Sequence, residues 1–195
     1  MKKRSRIVYF LQEIVIVAIG ILIAVSIGDY KENTDNEKYI EKTLLAIENE
    51  INLSQVELDT VLNKHLKLIE ILENKIEDNE GNEETLAELL MNSGGLQVAS
   101  IKNVSLRFFI SNKAELLEFQ LISQLLDIEL ATNMLSDKLK RLADFSYDNL
   151  TSNNEEVKLK FAYFLSDVID GEQTLLESYS SFLEKNKSFL KEYSK

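Results

Sequence analysis

Catalysis and metal binding need reactive side chains in particular patterns, and this 195-residue chain supplies few of them. It has one histidine, His65, and no cysteine, which excludes thiolate metal sites, thiol nucleophiles and disulfides. Its abundance of glutamate invites a search for a carboxylate di-metal centre, which requires inward glutamates and Glu-x-x-His pairs on facing helices. The residue three before His65 is Leu62, so that motif is absent. His65 lies between Leu62 and Ile69 on an apolar helical stripe and reads as a packed or partly exposed helix residue. No serine has nucleophile-elbow spacing, and no glycines near His65 offer an oxyanion hole, so a Ser–His–Asp hydrolase has no motif to support it.

Gly94-Gly95 is not followed by GxGxxG or GxxxxGK[ST] and has no parallel-sheet context, which argues against a phosphate loop. The pair reads as a structural turn, with a helix ending at a position of positive φ or packing closely on a neighbour. Tyr147, Tyr163, Tyr179 and Tyr193 recur at intervals near 16 residues. Aromatic residues on apolar helix faces fill cores, and their hydroxyls can also rim a ligand cavity. Glu32, Glu37, Glu41, Glu48, Glu50 and the acids at 77–84 form a solvated surface without calcium-loop spacing. No catalytic residue, metal ligand or cofactor is assigned.

A different constellation lies near the N-terminus. Gly20, Ala24 and Gly28 repeat every four residues, a small-residue stripe that lets a second helix approach closely. Glu13 precedes Gly20 by seven residues and falls on nearly the same face, either as an interfacial polar residue or as a group paired in a helix–helix contact. These four residues are the candidates for membrane-helix packing.

The elements that must position these residues follow from composition and charge. Proline is absent and only six glycines occur, so long uninterrupted helices are expected. The net charge of −11 is unevenly distributed. Lys2, Lys3, Arg4 and Arg6 give +4 before the apolar run, whereas the chain from Asp29 onward carries −14. An acidic body with dispersed basic residues argues against nucleic-acid binding. Residues 8–28 would rise about 31 Å as a helix, close to the roughly 30 Å of a bilayer core. Basic residues before the run and Asp29-Tyr30-Lys31-Glu32 after it are the flanks of a single transmembrane helix. The charge bias predicts an inner-membrane protein with residues 1–7 in the cytoplasm and 29–195 on the periplasmic side. Ala24-Val25-Ser26 offers a competing signal-peptide cleavage pattern, opposed by Glu13 and by Gly20 within the apolar core.

Beyond the membrane, an all-α antiparallel bundle is expected. Apolar spacing predicts helices over about 34–78, 83–92, 97–147 and 155–193, the third open to a break near Ser111-Asn112 or within Ser100–Asn103, with turns at Asp78–Asn82, Asn92–Gly95 and Asp148–Glu156. The polar stretch YKENTDNEKY is the natural joint between the membrane helix and the first external helix, although no glycine or proline forces a break there. The last helix carries a wide apolar band and should pack centrally, with Gly171 marking a bend or a close neighbour.

The segments QEIVIVAIGILIAVSIGDYKEN and MNSGGLQVASIKNVSLRFFISN carry a resemblance. With Glu13, Ile14, Gly20, Ile21, Leu22, Ile23 and Ala24 in the first block, and Ser93, Gly94, Leu96 and Leu106 in the second, the chain resembles an uncharacterised family of short, N-terminally membrane-anchored helical proteins common in Bacteroidota. Ser26, Asp29-Tyr30 and Gly95 depart from its pattern. The resemblance implies the same anchored topology and a helical external region, and no reaction.

The leading expectation is a single-pass inner-membrane protein whose acidic helical domain acts in protein–protein interaction or scaffolding. Its partners would be the lipid bilayer and either another protein or further copies of the chain. A ligand-sensing bundle is the alternative and would show a concave pocket with convergent polar groups. An enzyme of unknown class is the third possibility and would need polar groups in catalytic reach.

Overall fold

The computed structural model describes residues 2–77 and 84–187, and no strand occurs among them. Five α-helices follow in order: α1 (Lys2–Glu77), α2 (Leu86–Asn92), α3 (Val104–Lys113), α4 (Phe119–Asn149) and α5 (Glu155–Lys185). A 3-10 turn, Ala114–Leu116, lies between α3 and α4. The chain divides into two compact units, Met1–Lys42 and Thr43–Lys195.

The first unit is helical throughout its described length, as expected where neither proline nor a glycine pair interrupts. An 18-residue window within it has mean hydropathy 2.5 and no buried residue, so the helix is long and apolar enough to cross a membrane. Its polar hydroxyl is satisfied locally, Ser26 Oγ donating to the Leu22 carbonyl at 2.8 Å. Helical backbone continues through the polar stretch after Asp29. Thr34, a residue that could have capped a new helix there, donates its hydroxyl to the Tyr30 carbonyl at 2.9 Å instead.

In the second unit, the α1 segment buries Leu44, Ile47, Ile51, Leu58, Val61, Leu68 and Leu72 at alternating three- and four-residue steps or multiples of them. The central band of α5 buries Phe161, Leu165, Val168, Leu175, Tyr179 and Phe182, and α4 contributes Leu121, Leu125, Ile128, Leu135 and Leu142. Gly171 brings α4 and α5 together: a Cβ there would stand 3.1 Å from Lys138 Cδ and 3.2 Å from Leu135 Cδ1. Of the two roles foreseen for this glycine, admitting a close neighbour is the one the packing displays.

Short α2 depends on its ends. Thr85 and Glu88 form a reciprocal capping box, and the Leu86 and Ala87 amides donate to the Ser152 and Leu150 carbonyls at 2.8 and 2.9 Å. Four amides at a helix start lack internal partners, so this borrowing ties α2 to the turn between α4 and α5. At the other end, Gly94 and Gly95 have φ of 91° and 79°, and their amides return to the Met91 and Leu90 carbonyls. That pattern is a Schellman termination. No heavy atom lies within 4 Å of a Cβ built at either glycine, so conformation rather than crowding selects them.

The helix expected over 97–147 is divided in the structure, at the Ser100–Asn103 candidate and not at Ser111-Asn112, which lies within α3. Residues 95–103 form no regular element, α3 is short, and α4 starts anew at Phe119. The physical reason is competition for backbone donors. The amides of Ser100 and Lys102 bond to Glu57 Oε1 (2.8 Å) and Ser54 Oγ (2.9 Å) on α1, and Glu50 Oε2 (3.0 Å) takes the Ser105 amide, one of the first-turn donors that α3 itself cannot satisfy. Glu118 is extended (φ −63°, ψ 141°) and precedes the restart. The expected helix at 83–92 begins at Leu86, because Thr85 serves as its N-cap. The turn expected at Asp78–Asn82 and positions 188–193 of the last expected helix lie outside the described residues.

Candidate functional site

All buried polar and charged residues among those described share one feature of sequence. The α1 core positions run 44, 47, 51, 54, 58, 61, 65, 68, 72, and Ser54 and His65 occupy two of them. On α5 they run 158, 161, 165, 168, 172, 175, 179, 182, with Lys158 and Glu172 among them, and on α4 Thr132 and Ser146 take equivalent places. Helical phase carries these polar groups into the interior, and each must find a partner there or pay its desolvation.

His65 and Glu172 answer that need together. His65 Nδ1 lies 3.0 Å from Glu172 Oε1 and 3.1 Å from Oε2, and both side chains are 1% exposed. The Glu172 carboxyl group orients the imidazole ring, as a carboxyl partner does for histidines in metal sites and catalytic triads. His65 Nε2 is buried and hydrogen-bonds to no described atom. A general base must reach a substrate proton, directly or through water. Buried this deeply, the couple offers no such access, and its evident role is to tie α1 to α5 within the second unit. Among the described residues no group of three or more His, Asp or Glu side chains is arranged to hold a metal ion.

A second polar seam joins α1, the 95–103 segment and α5. Glu50 accepts the Ser105 hydroxyl at 2.9 Å, and Ser54 Oγ both accepts from the Lys102 amide and donates to its carbonyl at 3.4 Å. Glu50, Asn103 and Tyr179 border a crevice too narrow to admit a water molecule. Burial pushes the Tyr179 hydroxyl above its ordinary pKa, opposed by the nearby Ser54 and Thr132 hydroxyls. This seam positions the chain and leaves no room for a ligand.

Charge is also drawn inward at the start of α5. Burial pushes the Lys158 ammonium below the ordinary lysine value, with Glu84 opposing that fall. Glu84 is itself held below the usual carboxylate range by its hydrogen bond from Lys75, and Glu88 by hydrogen bonds from Thr85. A cleft of about 270 Å³ lies between α4 and α5, lined by residues that include Gln124, Asp127, Thr174, Glu177 and Lys185. It is smaller and more polar than the roughly 300–1,000 Å³, mostly apolar pockets that enclose small molecules.

The outer surface of the second unit has a different character. Phe119, Leu126, Leu130 and Met134 are exposed on α4, at spacings that keep them on one face, and Val104 and Phe108 are exposed one turn apart on α3. The spacing after Gly95 marks Ile101, Val104, Phe108 and Phe109 as core residues; Phe109 is buried, but Val104 and Phe108 face outward, because the phase of α3 turns Leu106 to the core in their place.

The residues expected to pack in a membrane are all exposed on the first unit's helix. Glu13, Gly20, Ala24 and Gly28 share a face by helical spacing, and no heavy atom comes within 4 Å of a Cβ at Gly20 or Gly28. Gly94 and Gly95 sit at the end of α2. Glu172 escaped notice in the sequence, although an acid at a core phase of α5 was a readable signal. Comparison with family models, with curated proteins and with solved structures finds no match to this chain.

Proposed function

We propose that this chain is a single-pass inner-membrane protein whose acidic helical region outside the membrane serves as a protein-interaction or scaffold module. One observation carries the reading: the apolar window of α1 has no buried residue, so the helix leaves Ile16, Leu22 and Ile27 about two-thirds exposed. A helix that is apolar all round needs an apolar surrounding. The core helix of a soluble domain would have found it within the chain. A bilayer supplies it here, with Ser26 already satisfied by its own helix, as hydrocarbon requires. The +4 segment before the window then stays in the cytoplasm, and residues 29–195 lie in the periplasm. Glu13, Gly20, Ala24 and Gly28 form the face through which this helix meets a partner helix. The resemblance to membrane-anchored helical proteins points to the same topology.

The test is alkaline carbonate extraction of cell membranes combined with C-terminal topology reporters. The expected result is a carbonate-resistant chain whose C-terminal alkaline phosphatase fusion is active and whose cytoplasm-dependent reporter is silent. Release into the supernatant, or the opposite reporter pattern, overturns the topology. A mature N-terminus near Ile27 would replace the permanent anchor with a cleaved signal. In-cell cross-linking addresses the interaction role, and recovery of the chain only as an isolated monomer counts against it.

A further inference from the structure

The α3–α4 hairpin has apolar residues on two opposite faces, and only one of them is used among the described residues. On α4, Leu121, Leu125, Ile128 and Leu135 are buried, while Phe119, Leu126, Leu130 and Met134 point away from them, with Phe119 84% exposed. On α3, Leu106 and Phe109 are buried, while Val104 and Phe108 are 73% and 59% exposed.

Arg107 fixes how the two helices meet. Its Nε lies 3.6 Å from Glu129 Oε1, and its Nη2 donates to Asn133 Oδ1 at 3.1 Å. Contact of residue 107 with 129 and 133 across so short a connection makes α3 and α4 antiparallel. Phe108 follows Arg107, and Leu130 follows Glu129, each by one residue or about 100° of helical rotation. In antiparallel helices those rotations turn toward the same side. Val104 and Phe108 therefore join Leu126, Leu130 and Met134 in one outward patch, with Phe119 continuing the α4 row. The six residues expose on the order of 700 Å², comparable to the roughly 800 Å² that one side of a standard interface buries, and more than the about 300–600 Å² of an ordinary monomer's largest patch.

The surrounding charge says what kind of surface would cover this patch. From Glu118 to Asp137 every charged residue is acidic, namely Glu118, Asp127, Glu129 and Asp137, and the first base on α4 is Lys138. On α3, Arg107 is engaged by Glu129 and Asn133, which leaves Lys113 at the helix end as its other cation. A second copy would set these acids against their own equivalents, within a region already carrying −14. A surface of anionic lipid would be repelled in the same way.

We propose that the outward face of the α3–α4 hairpin docks an amphipathic helix of a partner protein, with apolar anchors at three- and four-residue spacing and Lys or Arg on their flanks. This assignment rests on the interaction-module reading and gives it a site and a partner chemistry. Phe108, Leu130 and Met134 contact the anchors, and Asp127 and Asp137 face the basic flanks.

The experiment uses the full chain in phosphatidylcholine nanodiscs, with empty discs as the control. The probe is a fluorescent synthetic helix about 20 residues long, enough to hold helical structure, with leucines on one face and lysines flanking them. A matched peptide carries glutamates in place of the lysines. The lysine peptide should bind at least about tenfold more tightly than the glutamate peptide, weaken with added salt, and lose about tenfold or more in affinity with Leu130→Glu or Phe108→Ser. Leu159→Glu, on α5 and outside the patch, should change nothing, and matching thermal melts would show that every variant is folded. Equal binding of the two peptides, or binding indifferent to Leu130→Glu and Phe108→Ser, overturns the proposal. So does self-association of the full chain that Leu130→Glu abolishes, because the face would then belong to a second copy. Binding to anionic vesicles through the same residues would assign it to lipid and overturn it as well. Failure of this face leaves carbonate resistance, topology and cross-links to other surfaces untouched, so it is distinguishable from failure of the anchored-module reading.

Discussion

One helix, α1, contributes to two units that handle apolar surface in opposite ways. In the first unit, apolar residues from Tyr9 to Ile27 point in all directions and remain exposed. In the second, most keep to one buried stripe, with Leu53, Val56, Leu66 and Ile71 exposed beside it, and that stripe includes Ser54 and His65 at core positions. A helix that sorts its faces can bury polar groups, because neighbouring helices offer them partners. In the helix without sorted faces polar groups are few, Gln12 and Glu13 near its start and Ser26, which is satisfied within its own helix. The glycines differ in the same sense. Gly20 and Gly28 occupy ordinary helix, whereas Gly94 and Gly95 hold positive φ at a helix end.

The largest effect should come from placing charge in the unsorted region. Ile19→Arg combined with Ile23→Arg costs about 2.5–3.5 kcal/mol per arginine on insertion scales, enough to move the chain into the carbonate supernatant. The thermal melt of the second unit should not change. Persistence in the membrane pellet would mean that the second unit itself holds the bilayer, and the contrast between the two regions would collapse.

Next in size is the buried couple. Glu172→Ala leaves His65 in the interior without its partner and should cost about 3 kcal/mol in urea unfolding followed by circular dichroism. Replacing both residues by leucine should cost much less, since no unpaired polar group then stays buried. Equal losses for the single and double variants would show that the pair's geometry contributes nothing beyond its volume.

Smaller effects separate the two kinds of glycine. Gly94→Ala forces a Cβ into the left-handed region and should cost about 1–2 kcal/mol. Gly28→Ala, in open helical space, should leave the melting temperature of the second unit where it was. Thr85→Ala, which removes the α2 cap, should cost about 1 kcal/mol. It carries a pH signature. The backbone amide of Thr85, and after it the hydroxyl that the substitution removes, hold the Glu88 carboxyl below its ordinary value, so the folded state binds fewer protons than the unfolded state in the acid range. That contribution is present above the unfolded glutamate pKa and is lost as pH falls through the lowered folded value. With the amide bond kept and only the hydroxyl's share lost, a plot of melting temperature against pH should fall slightly less steeply on its acid side in Thr85→Ala.

Much of the fold was legible in local pattern. The stripe through Leu44, Ile47, Ile51, Leu58 and Leu72 located the buried face of α1, and Gly94-Gly95 located the end of α2. Ser100–Asn103 was legible as one of two candidate breaks, but what fixes the break was not, because the groups that take the Ser100 and Lys102 amides and the first-turn amide of Ser105 are Glu57, Ser54 and Glu50, between 43 and 55 residues earlier in the chain. His65 was readable as a residue of the buried stripe. Its partner is 107 residues away on another helix, and no spacing rule connects the two.

The sequence by itself determined where helices can run, where charge gives way to apolar surface, and which phases of each helix face a core. Those properties depend on residues within one or two turns of each other. Only the tertiary structure decided that His65 meets Glu172, that Gly171 admits Leu135 and Lys138, and that Phe108 and Leu130 share an outward face. Such meetings depend on the rotation and rise of one helix against another, which are set by the packing of the whole second unit and by no short-range pattern.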